Sequence, residues 1–154
     1  MSQTQPFCSR GAMPERMTPP FRADHVGSFL RPPELLKARA EAAAGMMSKA
    51  ELRKREDAAI RDIVRKQEEL GFKAVTDGEF RRTFFHLDFL QGFANVEVRM
   101  AKVKARFHTD SGELEMQPPA SYVVGKLRHD KGIFVDDFRV LKSVATALPK
   151  LTIP

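Results

Sequence analysis

Residues 48–79 constrain this chain most. Ser48 followed by Glu51 is a capping box, which satisfies backbone N–H groups at a helix start. Leu52, Ala59, Ile60, Ile63, Val64 and Leu70 then recur at helical spacing until Gly71, a natural stop. Directly behind comes a short apolar run, 72–76, which ends in Asp77-Gly78-Glu79 and reads as a strand. A helix with one apolar stripe must bury it, and a strand this close in sequence offers the sheet to bury it on. Upstream, residues 21–28 read as another strand and Arg31-Pro32-Pro33 ends it. Residues 34–44 follow Pro33 and reach Gly45, which predicts a helix. Strand, two helices, strand is a crossover long enough for parallel pairing, so a βαβ unit is expected.

The pattern then changes. In residues 95–108, Val96, Val98, Met100, Val103, Ala105 and Phe107 are separated largely by Glu97, Arg99, Lys102, Lys104 and Arg106, which is the alternation of a half-exposed strand. A turn at Asp110-Ser111-Gly112 and a further extended run at 121–127 predict an antiparallel excursion with its basic residues facing water. Residues 136–148 carry Phe138, Leu141, Val144, Ala145 and Leu148 on one helical face. Pro149 and a strand-like 150–154 follow. The fold class is α/β: three barrel-like strands, 21–28, 72–76 and 150–154, interrupted by an antiparallel insertion. With 154 residues the chain is expected to form one domain, 21–154, behind a disordered leader, 1–20.

No apolar run approaches the roughly 20 residues of a membrane-spanning helix. The formal charge of +6 raises nucleic acid as a partner, but the charges are interleaved: between Ser48 and Leu70 seven basic side chains alternate with six acidic ones. That is the pattern of a solvated helix face with offset ion pairs, so neither a nucleic acid nor a membrane is expected as partner. The single cysteine, Cys8, lies in the leader and cannot form an internal disulfide, and the leader has no continuous apolar segment of a secretory signal. A reducing cytoplasm is the expected location.

Two stretches hold the chemistry, Asp24-His25-Val26-Gly27-Ser28 and Asp77-Gly78-Glu79-Phe80-Arg81-Arg82. Both fall at predicted strand C-termini, the edge where sites form in parallel α/β arrangements. Gly27 and Gly78 admit a ligand close to backbone, Ser28 offers a hydroxyl and Glu79 a carboxylate suited to an ammonium group. Asp-Gly is also a common turn, and Arg81-Arg82 reads most simply as surface charge. His25 and His86 each have an Asp nearby in sequence and are weaker candidates, with Asp77, for substrate-side hydrogen bonding. Neighbouring residues on a strand face opposite ways, which disfavours an Asp24–His25 dyad.

The runs Arg22-Ala23-Asp24-His25-Val26-Gly27-Ser28-Phe29-Leu30-Arg31-Pro32 and Val75-Thr76-Asp77-Gly78-Glu79-Phe80-Arg81-Arg82, with His86-Leu87-Asp88-Phe89 and the closing Lys150-Leu151-Thr152-Ile153-Pro154, resemble the short, single-barrel relatives of cobalamin-independent methionine synthase. The resemblance implies a TIM (β/α)8 barrel, of which this chain would be an N-terminal portion without the C-terminal half. It implies a zinc ion that holds homocysteine as a thiolate and a methyl-folate as donor, making methionine. It also implies that Gly27 and Ser28 contact the backbone groups of the amino acid and that Glu79 binds its ammonium. The zinc ligands implied, a His-x-Cys pair, a Glu and a distant Cys, belong to later barrel strands and match nothing here. His25, His86, His108 and His129 show no paired ligand spacing. The expectation is a chain that binds no metal and is inactive alone. Its alternatives are a module that completes a barrel with a second copy or a complementary fragment, and an alkyltransferase acting on another thiol such as coenzyme M.

Overall fold

The computed structural model describes Thr18, His25 and residues 28–110 and 112–154. The leader apart from Thr18, and with it Cys8, together with Asp24, Gly27, Ser111 and most of the predicted first strand, lie outside the described residues.

Helix α1 (Pro33–Ala43) starts with proline at its first position, where a missing N–H costs nothing. Helix α2 (Lys49–Glu69) is capped as expected: the Ser48 hydroxyl accepts from the Glu51 N–H at 3.1 Å. Its inner face, however, is not purely apolar. Ile60 and Val64 are buried beside Glu56 and Gln67, whereas Leu70, expected on that face, is 69% exposed. Gly71 ends the helix at φ +82°.

Strand β1 (Ala74–Val75) follows, then a short helix α3 (Leu87–Leu90). The antiparallel excursion comprises β2 (Ala94–Met100), β3 (Ala105–Thr109), β4 (Gly112–Met116) and β5 (Pro119–Arg128). The single strand expected over 95–108 is thus two strands that leave each other: β2 pairs with β5, while β3 turns back on β4 with Thr109 opposite Gly112. The Ala101 N–H donates to the Pro118 carbonyl at 2.8 Å, closing the neck between the two hairpins. The basic side chains do face water, and several are ion-paired there: Lys104 and Arg106 both reach Glu115, at 2.6 and 3.2 Å.

Helix α4 (Val135–Val144) ends four residues before the expected position, because the Glu68 carboxylate of α2 captures the Thr146 and Ala147 N–H groups at 2.6 and 2.9 Å. The chain is thereby released into β6 (Leu148–Pro149), which pairs with β1 in parallel, Ala74 opposite Leu148 and Val75 opposite Pro149. The strand expected over 150–154 therefore pairs earlier. Proline is tolerated there because alternate N–H groups face the same neighbour: Leu148 donates to Lys73 and Lys150 to Val75, at 3.1 and 2.8 Å, with Pro149 between them. Leu35, Ile60, Val64, Val75, Phe80 and Leu141 form the core between the helices and this parallel pair. The architecture is mixed α/β with parallel strands, packed helices and an antiparallel insertion. Among the described residues no barrel closes. Among the described residues no helix is long and apolar enough to cross a membrane.

Candidate functional site at the end of the first parallel strand

Just past β1 the backbone takes two consecutive left-handed residues, Gly78 at φ +64° and Glu79 at φ +56°. Glycine is required at 78. A Cβ there would meet the Phe80 ring at 3.0 Å and the Phe29 ring at 3.1 Å, in addition to the conformational penalty. The turn brings Glu79 inward, only 6% exposed. Its N–H is held by Asp77 Oδ1 at 2.9 Å, so the Asp77 carboxylate, also buried, is spent on backbone.

Glu79 Oε1 accepts from the Thr152 hydroxyl at 2.8 Å and lies 3.4 Å from Arg82 Nη1. Arg82 Nη2 donates to the Thr152 carbonyl at 2.6 Å, and its guanidinium stands 4.2 Å above the centre of the Phe134 ring. Glu79, Arg82 and Thr152 thus form a closed triangle across the segments that follow β1 and β6. The other carboxylate oxygen, Oε2, accepts no hydrogen bond among the described residues, and the carboxylate borders a cavity of about 360 Å³ lined by Ser28, Glu79, Arg82, Phe85, Thr152, Ile153 and Pro154.

Of the candidates read from sequence, Ser28 and Glu79 meet at this cavity. Gly27 lies outside the described residues. His25 does not line the cavity: its Nε2 is 3.2 Å from the Thr76 hydroxyl, and its ring packs against Phe29 and Phe72. His86 packs against Phe85 with the rings tilted and their centres 4.6 Å apart, while the Asp88 carboxylate accepts from the Thr83 and Phe84 N–H groups rather than orienting the imidazole.

Arg81 and Arg82 are not surface charge. Both side chains are nearly buried, 6% and 5% exposed, and they point to different networks. Arg81 pairs with Asp57 and lies 3.8 Å from Glu56 and 3.6 Å from Asp137. Arg39 reaches Glu56 at 3.0 Å and Arg53 reaches Asp137 at 2.5 Å, so three arginines and three carboxylates tie α1, α2 and α4 behind the site. Backbone carbonyls of the loop are satisfied from the same side. Arg31 donates to those of Glu79, Phe80 and Arg82, at 2.7, 3.3 and 2.6 Å, and Arg39 to those of Phe80 and Arg81, at 3.3 and 2.9 Å. Burial lowers the pKa of Arg31 and the neighbouring Arg39 charge lowers it further, only partly offset by Glu79, Asp88 and Glu56. Sequence reasoning missed Arg82, Thr152 and Phe85. The signal available for Arg82 was its three-residue offset from Glu79, and for Thr152 its place after a strand.

Among the described residues no group of three or more His, Cys, Asp or Glu side chains is placed to hold a metal ion. The described donors, a histidine packed on phenylalanines and carboxylates already bound to arginines, do not fit a thiolate-binding zinc centre.

A Bacillus subtilis protein carrying the name uncharacterized protein YxjH is 43% identical over 136 residues, 88% of this chain and 35% of that one. A 5-methyltetrahydropteroyltriglutamate–homocysteine methyltransferase from a Synechococcus strain is 31% identical over 125 residues, 81% of this chain and 16% of its own length. The crystal structure of a Listeria monocytogenes protein described as a vitamin-B12-independent methionine synthase superposes with a TM-score of 0.67 at 36% identity, covering 88% of this chain and 36% of that one. The chain therefore spans about a third of the length of its near relatives. A family model described as cobalamin-independent synthase, catalytic domain, matches residues 21–147, and the chain belongs to that family.

Proposed function

We propose that this chain carries the amino-acid-recognising end of a homocysteine methyltransferase site. Glu79 receives the substrate ammonium, and Ser28 with Gly27 receives its carboxylate. The observation that carries this reading is the Glu79 carboxylate, buried and fixed through one oxygen, with the other accepting no hydrogen bond among the described residues and the carboxylate bordering a cavity. A carboxylate so held is preorganised for a cation, because Thr152 and Arg82 have already fixed its rotamer. At about 360 Å³ the cavity falls in the range of small-ligand sites, and Phe85, Ile153 and Pro154 line its apolar side.

In this family the zinc ion supplies a nucleophilic thiolate at neutral pH, but the described residues offer no centre for it and do none of that chemistry. They bind and orient the amino acid. Methyl transfer then draws on parts of the barrel other than these residues, and the chain by itself is inactive. Glu79 also discriminates among thiols: coenzyme M would bring a sulfonate against a carboxylate, whereas homocysteine brings an ammonium, so the amino acid is favoured.

A second reading is favoured by the sheet. A parallel pair of two-residue strands is too small to stand alone, so further strands, from a second copy or a complementary fragment, complete the barrel around β1 and β6. The two readings are compatible.

The test is calorimetric titration of the purified chain with homocysteine and with methionine, with zinc content measured by mass spectrometry on the same sample. Binding that weakens about tenfold or more in Glu79→Gln, a loss of one charge-assisted contact, is expected. Equal affinity in the variant, or stoichiometric zinc with homocysteine methylation by the chain alone, would overturn the reading.

A further inference from the structure

We propose that Arg31 is a positioning residue whose guanidinium holds Glu79 in its left-handed conformation and so keeps the carboxylate at the cavity. The aspect concerning substrate affinity rests on the reading above. The conformational aspect does not.

The argument begins with strain. Glu79 has φ +56°, a conformation that costs a residue with a Cβ about 1–2 kcal/mol and that glutamate, unlike asparagine, has no short side-chain hydrogen bond to relieve. Glycine would make the same turn without penalty, as it does at Gly78. A carboxylate kept on a strained backbone needs surroundings that over-determine that backbone. Three groups do so here. Asp77 Oδ1 accepts the Glu79 N–H on one side, and on the other the Glu79 carbonyl accepts from Arg31 Nη2 at 2.7 Å and from the Arg82 N–H at 3.1 Å, so that Arg31 is the one side chain that grips the carbonyl.

Arg31 does more than bind one carbonyl. The same Nη2 donates to the Arg82 carbonyl, where the turn ends, and Nε reaches the Phe80 carbonyl. One planar fork therefore spans the whole reversal, drawing three carbonyls toward a single point. Lysine, a point donor on a flexible stem, cannot reproduce that geometry. Arg31 also follows Ser28 by three residues, so the side chain ties the segment that supplies the cavity's hydroxyl to the turn that supplies its carboxylate. Its neighbour Leu30 is 94% exposed, so on this segment Arg31 shares the tie to the turn with Phe29, whose ring packs on the core and whose N–H donates to the Gly78 carbonyl at 3.1 Å.

The experiment compares wild type, Arg31→Lys, Arg31→Ala and Arg39→Ala in isotopically labelled full-length chain. The first readout is the backbone geometry of residue 79, from its three-bond amide–Hα coupling and Cα shift. The second is methionine affinity by calorimetry. Arg31→Ala is expected to remove the left-handed signature at residue 79 and to weaken methionine binding at least tenfold, with the amide resonances of α2 and α4 retained. Arg31→Lys should fall between it and wild type, and carries the test alone if Arg31→Ala does not fold. Arg39→Ala removes the adjacent carbonyl contacts but not the one to Glu79, so it should cost stability without changing residue 79. A left-handed Glu79 that persists in both Arg31 variants would overturn the proposal. If wild type binds no methionine while residue 79 still responds to Arg31, the substrate reading falls and the positioning role stands.

Discussion

The side-chain amide of Gln67 replaces a neighbouring strand for Thr76: its Nε2 donates to the Thr76 carbonyl at 2.9 Å and its Oε1 accepts the Thr76 N–H at 3.0 Å. Both residues are buried, Gln67 at 2% and Thr76 at 0% exposure. The backbone at the end of β1 is thus satisfied from α2, which anchors the chain one step before the Asp77–Glu79 turn. Gln67→Leu keeps the volume but orphans a buried donor and a buried acceptor. A loss of roughly 2–4 kcal/mol is expected in urea unfolding.

The buried ion cluster behind the site makes a second prediction. Removing Arg81 leaves Glu56, Asp57 and Asp137 with fewer cations in a poorly solvated place, which for a broken buried pair costs about 3–5 kcal/mol. Arg81→Met should therefore lower stability by an amount of that order. A combined Arg81→Met, Glu56→Leu chain should recover part of it, because the stranded carboxylate is then gone as well. Thermal midpoints of the two variants check this.

Two carboxylates titrate in opposite senses. Burial pushes the Glu56 carboxyl above its ordinary value of 4.5, despite the pull of Arg39, Arg81 and Arg53. Its folded-state pKa exceeds its unfolded one, so its contribution is fullest below about pH 4.5 and is lost as pH rises through the raised value. For Glu68, a desolvation that would raise the pKa is outweighed by hydrogen bonds from Ala147 and Thr146, and the carboxyl lies below its ordinary range. That contribution is present above the unfolded value and disappears as pH falls through the depressed one. On acidification from about pH 7, wild type should gain stability relative to Glu56→Gln and, at the acid end, lose it relative to Glu68→Gln. Urea midpoints at several pH values measure both differences.

Thr152 supplies a hydroxyl to Glu79 and a carbonyl to Arg82. Thr152→Val removes the hydroxyl at nearly constant shape and leaves the carbonyl in place. Methionine affinity should fall by about tenfold or more, the worth of one hydrogen bond to a charged group, while Thr152→Ser retains most of it. Calorimetric titration of the two variants separates the hydroxyl from the methyl group.

What could be read from sequence was what neighbouring residues decide. The Ser48 cap, the Gly71 stop, the apolar stripe around Ile60 and Val64, and the polar end of β1 all follow from spacing within a few residues, and so Ser28 and Glu79 could be singled out. Features set across long separations were not legible. Glu68 ends α4 by seizing N–H groups at 146 and 147, and nothing near those residues announces it. Arg81 and Arg82 look like solvated charge until α1, α2 and α4 surround them. Thr152 acquires meaning only when β6 lies beside β1. The split of 95–108 into two strands depends on which partners β2 and β3 find, and alternation alone carries no partner.

The parallel pairing of β1 with β6 also bears on how the cavity comes into being. Everything between Val75 and Leu148, including both hairpins of the excursion, must be looped out before those two strands can meet. The β3–β4 hairpin closes between Thr109 and Gly112 and can form early, with β2 and β5 able to zip outward from it, whereas the β1–β6 pair carries the longest separation and forms late. Glu79 and Thr152 ride on the two ends of that late contact. The cavity is therefore a product of completed folding, and a chain stalled with its hairpins formed but β6 undocked would keep much of its secondary structure and lack the cavity altogether.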